Sequence, residues 1–95
     1  MHKIVWTELA NEEFEEVVRR IEKKWGVNSK NNLLDILDDC IKQLQSDLLQ
    51  HTFVNKKHNV KKCLVTKHNT LLFTKAKGTI TILRFFVNKR KPEDF

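Results

Sequence analysis

The stretch LLFTKAKGTITILRFFVNKRKPEDF, residues 71–95, decides the fold. Two apolar runs, residues 70–75 and 79–87, flank a KAKG sequence, and this pattern predicts two strands joined by a tight turn. The second run, TITILRFFV, is apolar on both faces, so we place it centrally in a sheet. Residues 60–66, VKKCLVT, are typical of a further strand, and Asn69 favours a tight turn back from it. The second half of the chain therefore predicts three consecutive strands.

Residues 8–25 predict the first of two amphipathic helices, because apolar residues recur there at three- and four-residue steps. Thr7 offers an N-cap hydroxyl and Gly26 ends the helix. A second helix opens at Asn28 or Ser29. Two such helices joined by so short a link should pack as a hairpin. The apolar stripes are Phe14, Val17, Val18, Ile21 and Trp25 in the first helix, and Leu33, Leu34, Leu37, Cys40, Ile41, Leu44 and Leu48 in the second.

The remaining segments complete a two-layer α+β prediction. Residues 3–6, KIVW, are β-branched and aromatic and predict a short first strand. Residues 49–59 show no period and are interpreted as a loop. The predicted order is β-α-α-β-β-β, with an N-terminal helical hairpin packed on one face of a mainly antiparallel sheet. A length of 95 residues predicts one domain, 1–95, and no apolar stretch approaches the roughly 20 residues needed to cross a membrane.

Positive charge is concentrated in the second half of the chain. Residues 1–50 hold seven Lys or Arg against ten Asp or Glu, a net charge of −3, whereas residues 51–95 hold eleven against two, a net charge of +9. No acidic residue lies between Asp47 and Glu93. This asymmetry indicates one basic surface for nucleic acid or for an acidic protein partner. The alternative is a set of scattered lysines on a solvated face.

The histidines and cysteines do not predict a metal site. None of the four histidines or two cysteines falls at the spacing typical of zinc ligands, and no glycine-rich phosphate loop is present, so we expect no metal and no cofactor. Cys40 and Cys63 lie in apolar patterns far apart in sequence. This placement favours two buried thiols in a reducing cytoplasm over a disulfide.

Arg84 is the charged residue that most needs an explanation, because it interrupts the apolar alternation of the last strand. It either points into a solvated groove or pairs with an acid of the second helix, Asp35 or Asp39. Lys61 and Lys62 should point to opposite faces of their strand. The basic candidates could bind a phosphodiester, neutralise a transition-state phosphorane or dock an acidic peptide. They are Lys61, Lys62, Arg84, Lys89, Arg90 and Lys91.

The two ends of the chain resemble one protein family. The opening KIVWTELANEEFEEVVRRIEKKW is similar to the first strand and helix of the RelE/ParE toxins of bacterial toxin–antitoxin systems. The closing residues resemble their C-terminal sheet, most closely in VTKHNTLLF, TITILRFFV and the Arg90-x-Pro92 ending. The resemblance is nearest to ParE-like members, although their tail has one more residue between the arginine and the proline. It covers nearly the whole chain.

The resemblance implies a single RelE/ParE-like toxin domain, residues 1–95, of a type II (plasmid stabilisation) system. Such a toxin is cytoplasmic. Its cognate antitoxin holds it inactive in a hetero-oligomer through an acidic, amphipathic C-terminal segment. No membrane partner is implied.

The resemblance also implies two possible targets. ParE-like members poison DNA gyrase, whereas RelE-like members cleave messenger RNA on the ribosome with basic residues and a terminal Tyr or His. This chain has no tyrosine and no histidine after His68, so we expect a gyrase poison without chemistry of its own. The alternative is a metal-independent endoribonuclease that uses Arg84, Lys61, Lys62 and His58. A further alternative is a non-toxic basic nucleic-acid-binding module.

Overall fold

Two helices and five strands make up the protein in a computed structural model that describes residues 2–46 and 51–88. The predicted α+β architecture is confirmed, with the helical hairpin on the sheet. Leu48, Lys89, Arg90 and Lys91 lie outside the described residues. The elements are β1 (Lys3–Trp6), α1 (Glu8–Trp25), α2 (Val27–Ser46), β2 (Phe53–Asn55), β3 (Val60–Thr66), β4 (Asn69–Ala76) and β5 (Thr79–Val87).

The sheet order is β1-β5-β4-β3-β2, and only the β1–β5 pair is parallel among these strands. Strand β5 is interior, as its two apolar faces predict. The interpretation of residues 49–59 as a loop is wrong, because β2 lies within them and pairs with β3. Its three residues are all exposed and are too few to show a period, so the sequence gives no signal of this strand.

A tight turn and a bulge position the strands next to the site. Lys77 and Gly78 both have positive φ, 50° and 76°, as a two-residue type I′ hairpin turn requires. Farther along the pair, Ile82 lies opposite Phe73 and Arg84 lies opposite Leu72, so the residue between them, at position 83, is extra. The bulge resets the alternation of side chains along β5. Ile82 and Phe85 are therefore both fully buried.

The predicted helix boundaries agree closely with the structure. The Ala10 N–H donates to Thr7 Oγ1 at 3.1 Å, which confirms the N-cap, and Gly26 closes α1 with a φ of 95°. Helix α2 begins at Val27, slightly earlier than predicted. Trp25 is 62% exposed at the end of α1, so its place in the apolar stripe does not bury it. Neither described helix is both long enough and apolar enough to span a bilayer.

The core lies between the helices and one face of the sheet. At one end, an aromatic cluster joins β1, α1 and β5: the Phe14 ring lies 5.4 Å from Trp6 and 5.3 Å from Phe85, centroid to centroid. The buried apolar side chains come from both layers, as the stripes predict. They are Ala10, Val17, Leu33, Leu37, Leu44, Cys63, Val65, Leu71, Phe73, Ile80, Ile82 and Phe85.

Candidate functional site

The sheet face opposite the helices, called the outer face below, carries two of the predicted site residues. In the strand register, Lys62 lies opposite Leu72 and Leu72 lies opposite Arg84. Because side chains of paired residues share a face, Lys62 and Arg84 belong to one row across β3, β4 and β5. One strand separates them, which corresponds to about 10 Å at the usual strand spacing.

Arg84 forms an ion pair with a glutamate of α1. Its Nε donates to Glu13 Oε1 at 2.8 Å and its Nη2 donates to Glu13 Oε2 at 2.6 Å. The Phe85 N–H donates to the same Glu13 Oε1 at 3.2 Å. The hydrogen bonds from Arg84 lower the pKa of Glu13, and Glu13 in turn raises the pKa of Arg84, so both groups remain charged at neutral pH.

The alternative in which Arg84 pairs with Asp35 or Asp39 of the second helix is therefore wrong, because its partner is Glu13. Helix α1 packs along β5, whereas α2 packs on α1 and on β3. The sequence pattern identified Arg84 as a residue that needs a partner. It could not indicate which helix lies beside the last strand.

Lys61 and Lys62 point to opposite faces of β3, as alternation predicts. Lys61 is on the side of the buried Cys63, and its Nζ lies 4.8 Å from the Phe53 ring centroid. Lys62 is exposed on the outer face with Arg84. The two lysines cannot therefore act together on one phosphate from neighbouring positions.

His58 lies away from the other catalytic candidates. It is exposed in the turn between β2 and β3, where its backbone N–H donates to Asn55 Oδ1 at 3.2 Å. The next residue, Asn59, donates its side-chain amide to the Lys75 carbonyl at the far end of β4. The four residues predicted for RNA cleavage therefore do not meet. Lys61 and Lys62 lie on opposite faces of the sheet, His58 lies in a turn, and Arg84 is held in an ion pair.

The lysines of residues 51–88 lie on more than one side of the sheet. Lys56 and Lys61 both lie over the Phe53 ring, at 6.0 and 4.8 Å. Lys75 Nζ instead donates to the Leu44 carbonyl of α2 at 3.1 Å. Because the lysines follow the strand alternation and the turns, their charge is divided between several sides of the sheet.

A cavity of about 280 Å³ lies beside Lys62, and one of its lining residues is a histidine that the sequence interpretation considered only as a metal ligand. It is lined by His51, Thr52, Lys62, Leu64 and Thr70. The His51 ring itself packs edge-on against the core residue Phe73, with 5.4 Å between the ring centroids. Burial, together with the positive charge of Lys61, lowers the pKa of His51, so its imidazole is neutral at pH 7. His51 follows no periodic pattern, and no local signal places it beside Phe73.

A groove of similar volume, about 280 Å³, runs between α1 and the last part of β5. Strand β1 pairs with β5 only as far as Ile82, which leaves the following residues open to one side. Phe86 and Val87 supply apolar surface above the fully buried Phe85, and Val87 is 40% exposed. Glu13, Glu16, Val17, Arg20 and Arg84 line the rest. The groove combines apolar strand residues with two arginines.

The described ranges contain no group of three or more His, Cys, Asp or Glu side chains placed to hold a metal ion. Cys40 and Cys63 are both free thiols, Cys63 buried and Cys40 partly so.

No protein-family model matches the chain, and no curated protein matches it. Several solved structures do match the chain. A chain of the chromosomal ParDE toxin–antitoxin system of P. aeruginosa is similar at 15% identity and a TM-score of 0.74, over 94% of this chain and 98% of that one. A metal-bound toxin from Helicobacter pylori is similar at 11% identity and a TM-score of 0.72, over 93% and 96%.

A YoeB/ParE toxin from Agrobacterium tumefaciens is also similar, at 8% identity and a TM-score of 0.61, over 92% of this chain and 99% of that one. Because these sequence identities are low, the likeness consists of a shared backbone fold. It extends over nearly the full length of each chain, as the resemblance of the two ends predicts. This chain has the fold of the RelE/ParE toxins of toxin–antitoxin systems.

Proposed function

We propose that this chain is the toxin of a type II (plasmid stabilisation) toxin–antitoxin system, that it acts in the cytoplasm, and that it inhibits growth by binding DNA gyrase. The shared fold supports the toxin assignment. The observation that carries the mode of action is the dispersal of Arg84, Lys61, Lys62 and His58. Because these residues lie apart, they can contact a protein partner but do not form one catalytic site. This is expected of a toxin that acts by binding its target.

The groove between α1 and β5 is the surface that we propose for the antitoxin. An amphipathic segment can place apolar side chains against Phe86 and Val87. Its carboxylates can approach Arg20, whose side chain is 65% exposed and is held only by an exposed pair with Glu16. Both features match an acidic, amphipathic partner.

Two assays test the target. In a supercoiling reaction, purified protein should inhibit gyrase, and expression alone should cause DNA damage while translation at first continues. Addition of the antitoxin encoded beside the toxin should restore supercoiling. Rapid arrest of translation with cleaved messenger RNA, and unaffected gyrase, would contradict the proposal.

A matched pair of variants tests the groove. Val87→Glu adds a carboxylate to the groove, so we expect at least a tenfold loss of antitoxin affinity, about 1.4 kcal/mol. Val5→Glu makes the same change on β1, at a residue of nearly equal exposure, 38% against 40%, and should bind normally. Wild-type affinity of the folded Val87→Glu protein would place the antitoxin elsewhere.

A further inference from the structure

Strand β2 is the outermost strand at one side of the sheet, and no other described strand pairs with its outer edge. The Lys62 N–H donates to the Thr52 carbonyl at 3.0 Å, so position 52 directs its backbone groups toward β3. Because these directions alternate along a strand, the N–H and C=O of Phe53 point away from β3. This side of the strand, called the β2 edge below, therefore presents main-chain hydrogen-bonding groups to a partner.

Both faces of this short strand also expose apolar side chains. Phe53 is 40% exposed and Val54 is 54% exposed, and alternation places them on opposite faces. Apolar side chains beside unpaired main-chain groups are the features that bind an added strand. In such complexes the main-chain hydrogen bonds supply affinity, and the alternate side chains supply specificity.

Four lysines flank the β2 edge. Two of them lie over the Phe53 ring, with Nζ atoms 6.0 and 4.8 Å from its centroid. The turn after β2 carries two of the four, and the other two lie on opposite faces of β3. The sequence has no acidic residue from position 48 to position 92, so this part of the chain supplies no opposite charge. The four are Lys56, Lys57, Lys61 and Lys62.

We propose that the β2 edge binds an extended, acidic segment of a partner protein, which adds to the sheet as a further strand beside β2. Main-chain groups of the segment pair with those of Phe53. Its apolar side chains pack against Phe53 and Val54, and its carboxylates meet the flanking lysines. This proposal depends neither on the toxin's target nor on the groove between α1 and β5.

The four lysines favour an acidic segment over two other occupants. A second copy of this chain, paired edge to edge, would place its own lysines against these, and like charges on adjacent strands repel. A nucleic acid would meet the positive charge through its phosphates, but it would leave the main-chain groups and the apolar side chains of the β2 edge unused. An acidic strand satisfies all three features together.

The first experiment measures how a labelled peptide of alternating Glu and Val, about six residues long, binds the full chain by fluorescence anisotropy. At about 0.1 M salt, charges more than about 10 Å apart are largely screened. Lys61→Glu reverses a charge at the β2 edge, so it should weaken binding about fivefold or more. Lys3→Glu makes the same change on β1, at the opposite side of the sheet, and should bind like the wild type. Circular dichroism establishes that both variants are folded.

N-methylated forms of the same peptide test strand addition itself and need no protein variant. Successive N–H groups of a strand point to opposite edges, so a peptide methylated at every second nitrogen keeps one edge able to pair. It should bind like the unmodified peptide. Methylation of every nitrogen removes all N–H donors and keeps the carboxylates, and it should weaken binding about tenfold or more.

Three outcomes would overturn the proposal. Equal affinity of the unmodified and fully methylated peptides would mean that charge alone accounts for binding. Tighter binding of a thymidine oligonucleotide of equal charge would assign the lysines to nucleic acid. Dimerisation of the chain in light scattering, with the peptide unbound, would assign the β2 edge to a second copy.

Discussion

The ion pair between Glu13 and Arg84 joins α1 to the last strand, and its removal should weaken the fold measurably. Glu13→Ala removes the carboxylate that accepts two hydrogen bonds from Arg84 and one from the Phe85 N–H. A hydrogen bond to a charged group contributes about 1.5–3 kcal/mol when protected from water. Because 46% of the Arg84 side chain is exposed, water replaces part of this interaction. We expect the free energy of unfolding to fall by about 1–2 kcal/mol at pH 7.

The effect should depend on pH in a defined direction. A loss of 1–2 kcal/mol lowers the melting temperature of a domain of this size by about 5–15 °C. Arg84 lowers the pKa of Glu13 in the folded state below its ordinary value of 4.5. The contribution of Glu13 is therefore complete above that value and is lost as the pH falls through the folded-state pKa. The difference between wild type and variant should shrink below pH 4.5.

Glu16→Ala provides the matched control, three residues along the same helix. Glu16 pairs with Arg20 at 2.6 Å, but both side chains are more than half exposed. Such a pair contributes about 0–1 kcal/mol, so we expect a small effect with little pH dependence. Urea unfolding followed by circular dichroism measures both variants. If the two losses were equal, the reasoning that α1 is held to β5 through Arg84 would be refuted.

Three further substitutions test how the elements are joined, each by urea denaturation. Thr7→Val removes the N-cap hydroxyl and its hydrogen bond to the Leu83 carbonyl, so the free energy of unfolding should fall by about 1–2 kcal/mol. Thr7→Ser keeps the hydroxyl and should be nearly as stable as the wild type. Gly26→Ala places a side chain at φ 95° and ψ 179°, a region essentially restricted to glycine, and should cost about 1–3 kcal/mol although nothing blocks the added carbon. Phe85→Ala leaves a cavity at a fully buried site and should lower the free energy of unfolding by about 3–5 kcal/mol. An unchanged urea midpoint for any of the destabilising variants would contradict the role assigned to that residue.

The local elements were largely predictable because their signals lie within a few residues. The apolar stripes produce α1 and α2, with Thr7 and Gly26 at the ends of α1 as expected. The KAKG turn and the three long strands also agree with the prediction. The exceptions are informative. Trp25 belongs to the apolar stripe of α1, but its side chain is exposed at the end of the helix. Strand β2 is too short to show a period.

The candidate site was less predictable, because its members come together only by packing. Arg84 was identified as a charge that needs a partner, but that partner, Glu13, lies 71 positions away on the other helix. His51 lies in a segment without periodicity, yet its ring packs against the core residue Phe73. The lysines of residues 51–88, grouped in the sequence, are separated by strand alternation and by the turns.

By itself, the sequence determined the helices, the long strands, the tight turn and the excess of positive charge, since propensity and periodicity act between near neighbours. The tertiary structure decided which helix lies against β5 and how the bulge before Arg84 turns that side chain. Those contacts depend on how whole elements fit together. Residues far apart in the chain meet only when the two layers close.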